Sequence, residues 1–137
     1  MMTTSRTIVA SLLAALAVSA PLDASFAKAK SCKALAVIDT DSDASLSLDE
    51  AKAAGGAVFD RLNRDKDSTL DRKELKGRLS KKEIASGDPD KDSTIDKSEY
   101  LSIVEARFKA ANGDADTTID CKELNSRAGH ALLRLIR

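Results

Sequence analysis

The sequence predicts an all-α fold, a compact helical bundle in which four acidic loops are joined by short shared helices. Two observations lead to this prediction. A twelve-residue pattern of carboxylates occurs four times, and only 12 or 13 residues separate one copy from the next. The connectors carry apolar residues at helical spacing, as at Tyr100, Val104 and Phe108. We number the repeats loop 1 (residues 39–50), loop 2 (63–74), loop 3 (88–99) and loop 4 (112–123).

Three of the helices are predicted directly from apolar periodicity. A short helix over residues 31–38 leads into loop 1, and helices over 51–62 and 100–111 connect loop 1 to loop 2 and loop 3 to loop 4. After loop 4, Ser126 is expected to cap a last helix. Its inward side chains are predicted to be Leu132, Leu133 and Ile136.

The connector between loops 2 and 3 differs from the other two. Gly77 interrupts it, and Ser80 to Glu83 form a capping box, which starts a new helix. We therefore expect a helix from Leu75, a turn near Gly77 to Ser80, and a second short helix that ends at Gly87.

The connector lengths also predict which loops pair. Twelve residues make roughly 18 Å of helix, so two loops joined by one unbroken helix lie at its opposite ends. The broken connector after loop 2 allows the chain to fold back. Loops 2 and 3 are therefore expected to pair through Leu70 and Ile95, and loops 1 and 4 through Leu46 and Ile119.

The spacing within each loop is the one that a hard cation requires. Short carboxylates at positions 1, 3, 5 and 9 surround the ion, a backbone carbonyl at position 7 contributes, and a longer Glu at position 12 closes the shell. One match is also compatible with an acidic turn before a helix, but four in 85 residues indicate cation sites. The predicted ligands are Asp39, Asp41, Asp43, Ser45 and Glu50; Asn63, Asp65, Asp67, Thr69, Asp71 and Glu74; Asp88, Asp90, Asp92, Thr94, Asp96 and Glu99; and Asn112, Asp114, Asp116, Thr118, Asp120 and Glu123.

The charge of the loops favours a trivalent ion over a divalent one. Loop 3 offers five carboxylates and each other loop four, and a 3+ ion attracts each carboxylate half as strongly again as a 2+ ion of similar size. Position 6, where a sharp turn favours Gly, holds Ala44, Ser68, Ser93 or Thr117, so we expect left-handed strain there, most severe at Thr117. Loop 3 is predicted to bind most tightly and loop 4 most weakly.

The N-terminal residues 1–27 have the pattern of a secretory signal peptide. Arg6 precedes an apolar stretch from Ile8 to Ala20, and small residues at Ser25 and Ala27 fit a cleavage site. About thirteen apolar residues are too few to span a bilayer roughly 30 Å thick. The sequence thus predicts export, most naturally to a bacterial periplasm, a mature metal-binding domain over residues 28–137, and no membrane attachment after cleavage.

Several functional classes find little support in the sequence. With one histidine, His130, no catalytic constellation can be assembled, so we expect a protein that is not an enzyme. The net charge of zero argues against nucleic acid as a partner. Cys32 and Cys121 lack the spacing of a zinc site. In an exported chain they have three alternatives: a bridge to each other, a bridge between molecules, or free thiols.

Beyond the loops, several stretches resemble the lanmodulin family, small periplasmic lanthanide-binding proteins of methylotrophic bacteria with four EF-hands. The resemblance covers residues from about 34 to 137. It implies a three-helix bundle with peripheral sites, selective binding of lanthanide(III) ions with calcium as a weaker alternative, and a monomer or weak dimer. The partners it implies are a lanthanide-dependent alcohol dehydrogenase or an uptake system. The stretches that extend the resemblance beyond the ligand positions are Lys73–Arg78, Glu99–Leu101, Phe108–Asn112 and Leu135–Arg137.

Two other functions are compatible with the same loops. A calcium sensor opens a groove for a partner, but sensors expose Met-rich surfaces, and Met1 and Met2 are the only methionines here. A secreted module stabilised by calcium is the other. Because each empty loop concentrates like charges beside a small core, we also expect the metal-free chain to be loosely folded.

Overall fold

The structure, a computed structural model, describes residues 32–137. This part of the chain is mainly helical, with six helices and two small antiparallel sheets, so the all-α prediction is confirmed only in its broad form. The helices are α1 (Leu35–Ile38), α2 (Leu48–Leu62), α3 (Lys81–Gly87), α4 (Lys97–Ala111), α5 (Cys121–Leu124) and α6 (Arg127–Ile136). The strands are β1 (Leu46–Ser47), β2 (Thr69–Leu70), β3 (Ile95–Asp96) and β4 (Thr118–Ile119). The predicted signal peptide lies outside the described residues.

Helices α2, α4 and α6 pack against one another and form the core. The predicted stripe of Tyr100, Val104 and Phe108 is buried in α4. Tyr100 meets Phe59 of α2 edge to face, with 5.7 Å between ring centroids. A Cβ added at Gly55 of α2 would lie 3.0 Å from Cγ2 of Val104, so the glycine permits the close approach of α2 and α4.

The two sheets pair the loops as the connector lengths predict. Leu46 lies opposite Ile119, and Leu70 lies opposite Ile95. All four side chains are fully buried. Each sheet therefore fixes two loops side by side and anchors them to the core through the apolar residue at position 8.

The connector between loops 2 and 3 is broken as predicted, but its first half is not a helix. Residues 72–78 form consecutive turns, with Gly77 at φ 83°, a conformation that glycine adopts without strain. The expectation of a helix from Leu75 is therefore wrong. The predicted capping box is confirmed, since the side chains of Ser80 and Glu83 exchange hydrogen bonds with each other's backbone N–H at the start of α3.

At the C-terminus, Ser126 caps α6 as predicted, accepting the N–H of Gly129 at 3.0 Å. Leu132 and Ile136 are buried, but Leu135, not Leu133, completes the buried face. The reason is that α6 contacts both α2 and α4, which turns Leu135 into the core. There its carbonyl accepts the hydroxyl of Tyr100 at 2.8 Å.

Cys32 and Cys121 form an intramolecular disulfide, with 5.7 Å between their Cα atoms. Of the three alternatives left open by the sequence, the structure thus has the bridge within one chain. The bridge joins the residues before α1 to the first residue of α5.

None of the helices in residues 32–137 combines the length and the apolar character needed to cross a bilayer.

Candidate metal centres in four loops

The four acidic loops share a tightly turned backbone. In loops 1, 2 and 3 the residues at positions 4 and 6 take left-handed conformations, with φ between 61° and 76°. In loop 4 only Ala115 at position 4 does so, at φ 59°. The expectation of left-handed strain at Thr117 is therefore wrong, because this β-branched residue avoids the conformation that Ala44, Ser68 and Ser93 accept. Sequence reasoning did not predict the left-handed conformation at position 4.

In loop 1 the side chains of Asp39, Asp41 and Asp43 place carboxylate oxygens within 4.8 Å of one another. Asp39 is fixed from within the loop, since its Oδ1 accepts the N–H of Ser42 at 2.6 Å and its Oδ2 the N–H of Ala44 at 3.0 Å. The left-handed residues thus turn their N–H groups toward the first ligand. Glu50 is not part of this group.

In loop 3 the carboxylate oxygens that lie within 4.8 Å of one another belong to Asp88, Asp90 and Glu99. We call such a group of three the gathered oxygens of its loop. Asp88 is the one acidic side chain among residues 32–137 that is buried, with 8% exposed. Its Oδ2 accepts the N–H of Ser93 at 2.9 Å. Loop 3 therefore brings together its predicted ligands at positions 1, 3 and 12, and backbone N–H groups hold the one at position 1 in place.

The other predicted carboxylates of loop 3 lie outside the gathered group. Oδ1 of Asp92 accepts both the N–H and the hydroxyl of Thr94, at 2.8 and 2.7 Å. Asp96 is the N-cap of α4 and accepts the N–H of Glu99 at 2.8 Å. The residue at position 9 thus starts the following helix, as Ser47 does for α2 and Asp120 for α5.

Loops 2 and 4 open with Asn63 and Asn112, and neither loop gathers three carboxylate oxygens as loops 1 and 3 do. Their distinctive feature is the side-chain Oδ1 of each Asn, which is buried and accepts no hydrogen bond. Buried polar atoms are almost always paired, and a bound cation would supply the partner that these two oxygens lack. The amide nitrogen of Asn112 is already used, donating to the carbonyl of Asp116 at 2.7 Å.

One hydrogen bond of the Glu at position 12 is common to all four loops. Its Oε2 accepts the N–H of the residue at position 9, at distances from 2.8 to 3.2 Å. The other oxygen, Oε1, differs between loops. It accepts the N–H at position 2 in loops 1, 2 and 4, from Thr40 at 2.7 Å, Arg64 at 2.9 Å and Gly113 at 2.6 Å.

Loop 3 has Pro89 at position 2, which carries no N–H. In the described part of the chain, the one hydrogen bond that the carboxylate of Glu99 accepts is the one at Oε2. This difference explains why Glu99 lies among the gathered oxygens of loop 3, whereas Glu50 is turned toward Thr40. The sequence contains the signal, a proline at position 2, but its consequence depends on the folded loop.

The pKa values of Glu50 and Glu99, the residues at position 12 of loops 1 and 3, reflect the presence or absence of an N–H donor at position 2. Burial disfavours the charged form of Glu50, but the N–H and hydroxyl groups of Ser47 and Thr40 outweigh it and lower the pKa to about 2. Burial also raises the pKa of Glu99, and there a single N–H, that of Asp96, opposes it while neighbouring carboxylates add to the rise.

Repulsion also acts on two further carboxylates in the gathered groups. The N–H of Asp43 lowers the pKa of Asp41, but lost hydration and the nearby charges of its loop outweigh that effect, so the pKa is raised. In loop 3 the N–H of Asp92 acts likewise on Asp90, whose pKa is nevertheless raised by its contact with Asp88, lost hydration and nearby charge. In both groups, therefore, neighbouring carboxylates add to the rise in pKa, as they do at Glu99.

A scan of protein-family models gives no match to this chain, and a search of curated proteins gives none either. The function is therefore argued from the chemistry of the loops.

Proposed function

We propose that the chain is a periplasmic protein that binds lanthanide(III) ions, in preference to calcium, through four EF-hand loops. The ligand types at positions 1, 3, 5, 7 and 12 of each twelve-residue loop fit an EF-hand, and the two small sheets pair the loops. As the resemblance to lanmodulin implies, the role is the buffering, transport or delivery of these ions. The partners are then a lanthanide-dependent alcohol dehydrogenase or an uptake system.

The observation that carries the proposal is the gathered group of loop 3. Three carboxylates, one of them on the buried Asp88, hold oxygens within 4.8 Å of one another. Burial raises the pKa of Glu99, and contact with Asp88 raises that of Asp90 against the N–H of Asp92; the charges of neighbouring carboxylates add to both rises. A cation at this point removes the repulsion and supplies the attraction that the loop lacks without it.

The unpartnered amide oxygens extend the proposal to the other loops. Asn63 and Asn112 stand at position 1, where the opening ligand belongs, and their buried Oδ1 atoms have no donor. Oxygen atoms alone suit a hard cation such as Ca²⁺ or a lanthanide, in contrast to zinc, which prefers nitrogen and sulfur.

The preference for a trivalent ion rests on charge. Five carboxylates in loop 3 and four in each other loop leave excess negative charge around a 2+ ion. A 3+ ion of similar radius attracts every one of them half as strongly again. Binding is therefore expected to stabilise the fold by removing the repulsion within each loop.

A competition titration tests the proposal. La³⁺ is added to the purified chain in the presence of excess Ca²⁺, and helical circular dichroism is followed. The expected result is saturation at micromolar La³⁺ with an increase in helical signal. An equal response to calcium at the same concentration would instead indicate a calcium sensor or a calcium-stabilised module. No response to lanthanum would exclude the proposed function.

A further inference from the structure

The Cys32–Cys121 disulfide lies beside the predicted ligands of two different loops. Cys121 is the first residue of α5, directly after Asp120 and two residues before Glu123. Cys32 precedes α1, and its carbonyl accepts the N–H of Ala36 at 3.2 Å. Helix α1 ends next to Asp39, the first ligand of loop 1. The bridge thus ties the segment that leads into loop 1 to the helix that leaves loop 4.

The two helices tied by the bridge are the shortest of the described chain, with four residues each. A single helical turn is not stable by itself in water. Helix α1 has no side-chain cap and buries only Leu35 and Ile38. Its position therefore depends on those two side chains and on the disulfide.

The disulfide connects the outer ends of loops 1 and 4 covalently, as the polypeptide chain connects loops 2 and 3. The latter two are joined by one short connector, residues 75–87. The outer ends of loops 1 and 4 lie far apart in sequence, and the two cysteines are separated by 89 positions. Without the bridge, the ends of this loop pair are held by non-covalent contacts alone.

We propose that this disulfide is a redox switch on the cation affinity of loops 1 and 4. The inference rests on the proposed function and adds its regulation. In the oxidised chain Asp39 and Glu123 are held where their loops need them. In the reduced chain α1 and α5 are released from each other, so the backbone segments that carry Asp39 and Glu123 are held together only by the pairing of β1 with β4 and by the core. The hydrogen bonds within each loop remain, but the two loops are less fixed relative to α1 and α5, and both bind more weakly.

The chemistry is thiol–disulfide exchange with a dithiol, either a small molecule or a thioredoxin-like protein. One thiolate of the dithiol attacks Sγ of Cys32 or Cys121, which breaks the bridge and forms a mixed disulfide. The second thiol resolves the mixed disulfide, so the dithiol leaves oxidised and the cysteine pair has gained two electrons and two protons. Both cysteines are only half-buried, which gives a small reductant access.

Loops 2 and 3 provide an internal control. Their predicted ligands lie on neither α1 nor α5, so reduction of the bridge should leave their affinity nearly unchanged. A general loss of stability would weaken all four loops, whereas the proposed switch weakens one pair.

Nuclear magnetic resonance distinguishes these results loop by loop. The backbone amides of Ala44, Ser68, Ser93 and Thr117 report loops 1 to 4, and La³⁺ is titrated with the free ion set by a citrate buffer. Reduction with dithiothreitol should raise the free La³⁺ at half-saturation by about tenfold for Ala44 and Thr117. It should change the values for Ser68 and Ser93 by less than about twofold, and reoxidation should restore the original values.

The double variant Cys32→Ser/Cys121→Ser is the matched control. It should reproduce the reduced chain and show no response to dithiothreitol. Unchanged affinity of loops 1 and 4 after reduction, or an equal loss in all four loops, overturns the switch while leaving the proposed function intact. An oxidised chain in which no amide responds to La³⁺ overturns the proposed function, and the switch with it.

Discussion

Loops 1 and 4 pair through Leu46 and Ile119, and loops 2 and 3 pair through Leu70 and Ile95, in sheets of the same size whose apolar side chains are fully buried. The means of holding each pair together differ. A disulfide closes the first pair, whereas a turn and the seven-residue helix α3 close the second. The chemistry within the pairs differs as well, because only loop 3 has its closing Glu among the gathered oxygens.

The comparison teaches that pairing and binding are separable in this fold. Each sheet needs only the apolar side chain at position 8 and a connection, and both connections give the same register. The arrangement of ligands depends instead on positions 1, 2 and 12, where the loops differ. Variants at position 8 should therefore change stability, variants at positions 1, 2 and 12 should change binding, and loss of the disulfide connection should weaken binding in loops 1 and 4 alone.

The largest expected effect on stability comes from the tight corner between α5 and α6. A Cβ added at Gly129 would collide with the backbone carbonyl oxygens of Glu123 and Leu124. At Gly87, at the end of α3, the added atom would meet Cδ1 of Ile103 at 2.5 Å, the far end of a flexible side chain. We expect Gly129→Ala to lower the free energy of unfolding by about 3 kcal/mol and Gly87→Ala by about 1 kcal/mol.

Gly56→Ala serves as the control for these two variants. Its nearest contact would be Cε of Lys97 at an ordinary 3.5 Å, so alanine in this helix interior should stabilise the protein by about 0.5–1 kcal/mol. Urea denaturation of all three variants measures the differences. A larger loss of unfolding free energy in Gly87→Ala than in Gly129→Ala would contradict this prediction.

The second prediction concerns binding. Glu99→Gln removes one charge from the five carboxylates of loop 3 without changing the shape of the side chain, and it should weaken the tightest binding phase by about tenfold. Glu123→Gln in loop 4 should leave that phase unchanged. Isothermal titration with La³⁺ separates the phases. Loss of the tightest phase in Glu123→Gln instead would reverse the predicted ranking of the loops.

The parts of the fold that the sequence predicts are those that depend on spacing. Carboxylate intervals locate the loops, connector lengths determine which loops pair, and a capping box places the start of α3. The parts it misses depend on tertiary contacts. Leu135 is buried because α6 meets two helices at once. Thr117 is a local exception, since this β-branched residue avoids the left-handed conformation that Ala44, Ser68 and Ser93 accept.

Within the loops, sequence reasoning predicts a set of ligands but not the hydrogen bonds that hold their side chains. No spacing indicates that the N–H of Thr40 reaches Glu50, ten residues away. The disulfide was likewise one of three alternatives, because the distance between Cys32 and Cys121 depends on how α1 meets α5.

The third prediction uses acid to separate loop 1 from loop 3 in the metal-free chain. The pKa of Glu50 is lowered from 4.5 to about 2, so its ionised form stabilises the fold above pH 4.5, and this contribution is lost as the pH falls through about 2. The pKa of Glu99 is raised, so its contribution is present below pH 4.5 and is lost as the pH rises through the folded-state value.

Two matched variants measure these opposite signs. At neutral pH Glu50→Gln should destabilise the metal-free chain and Glu99→Gln should stabilise it. The Glu50 difference should shrink as the pH falls from 4.5 to about 2, whereas the Glu99 difference should already shrink as the pH falls through its raised folded-state value to 4.5. Glutamine at position 12 still completes a capping box, so helix starts are preserved. Denaturation at several pH values provides the measurement, and the same sign for both variants would contradict it.

The smallest expected effect isolates Pro89 as the origin of the difference between the closing residues. Pro89→Ala restores an N–H at position 2, which should donate to Oε1 of Glu99 as Thr40 does to Glu50, and the pKa of Glu99 should fall. The reverse change, Thr40→Pro, should raise the pKa of Glu50. Asp39 and Asp88, which precede position 2, have similar ψ values of 103° and 83°, outside the helical region that a following proline disfavours. Thr40→Val removes the hydroxyl but keeps the N–H, so its effect on the pKa of Glu50 should lie between those of the wild type and Thr40→Pro.

Carbon-13 chemical shifts of the side-chain carboxyl groups, followed against pH, report the pKa of each residue directly. If the pKa of Glu99 is the same with alanine as with proline, burial and the neighbouring charges alone account for its elevation.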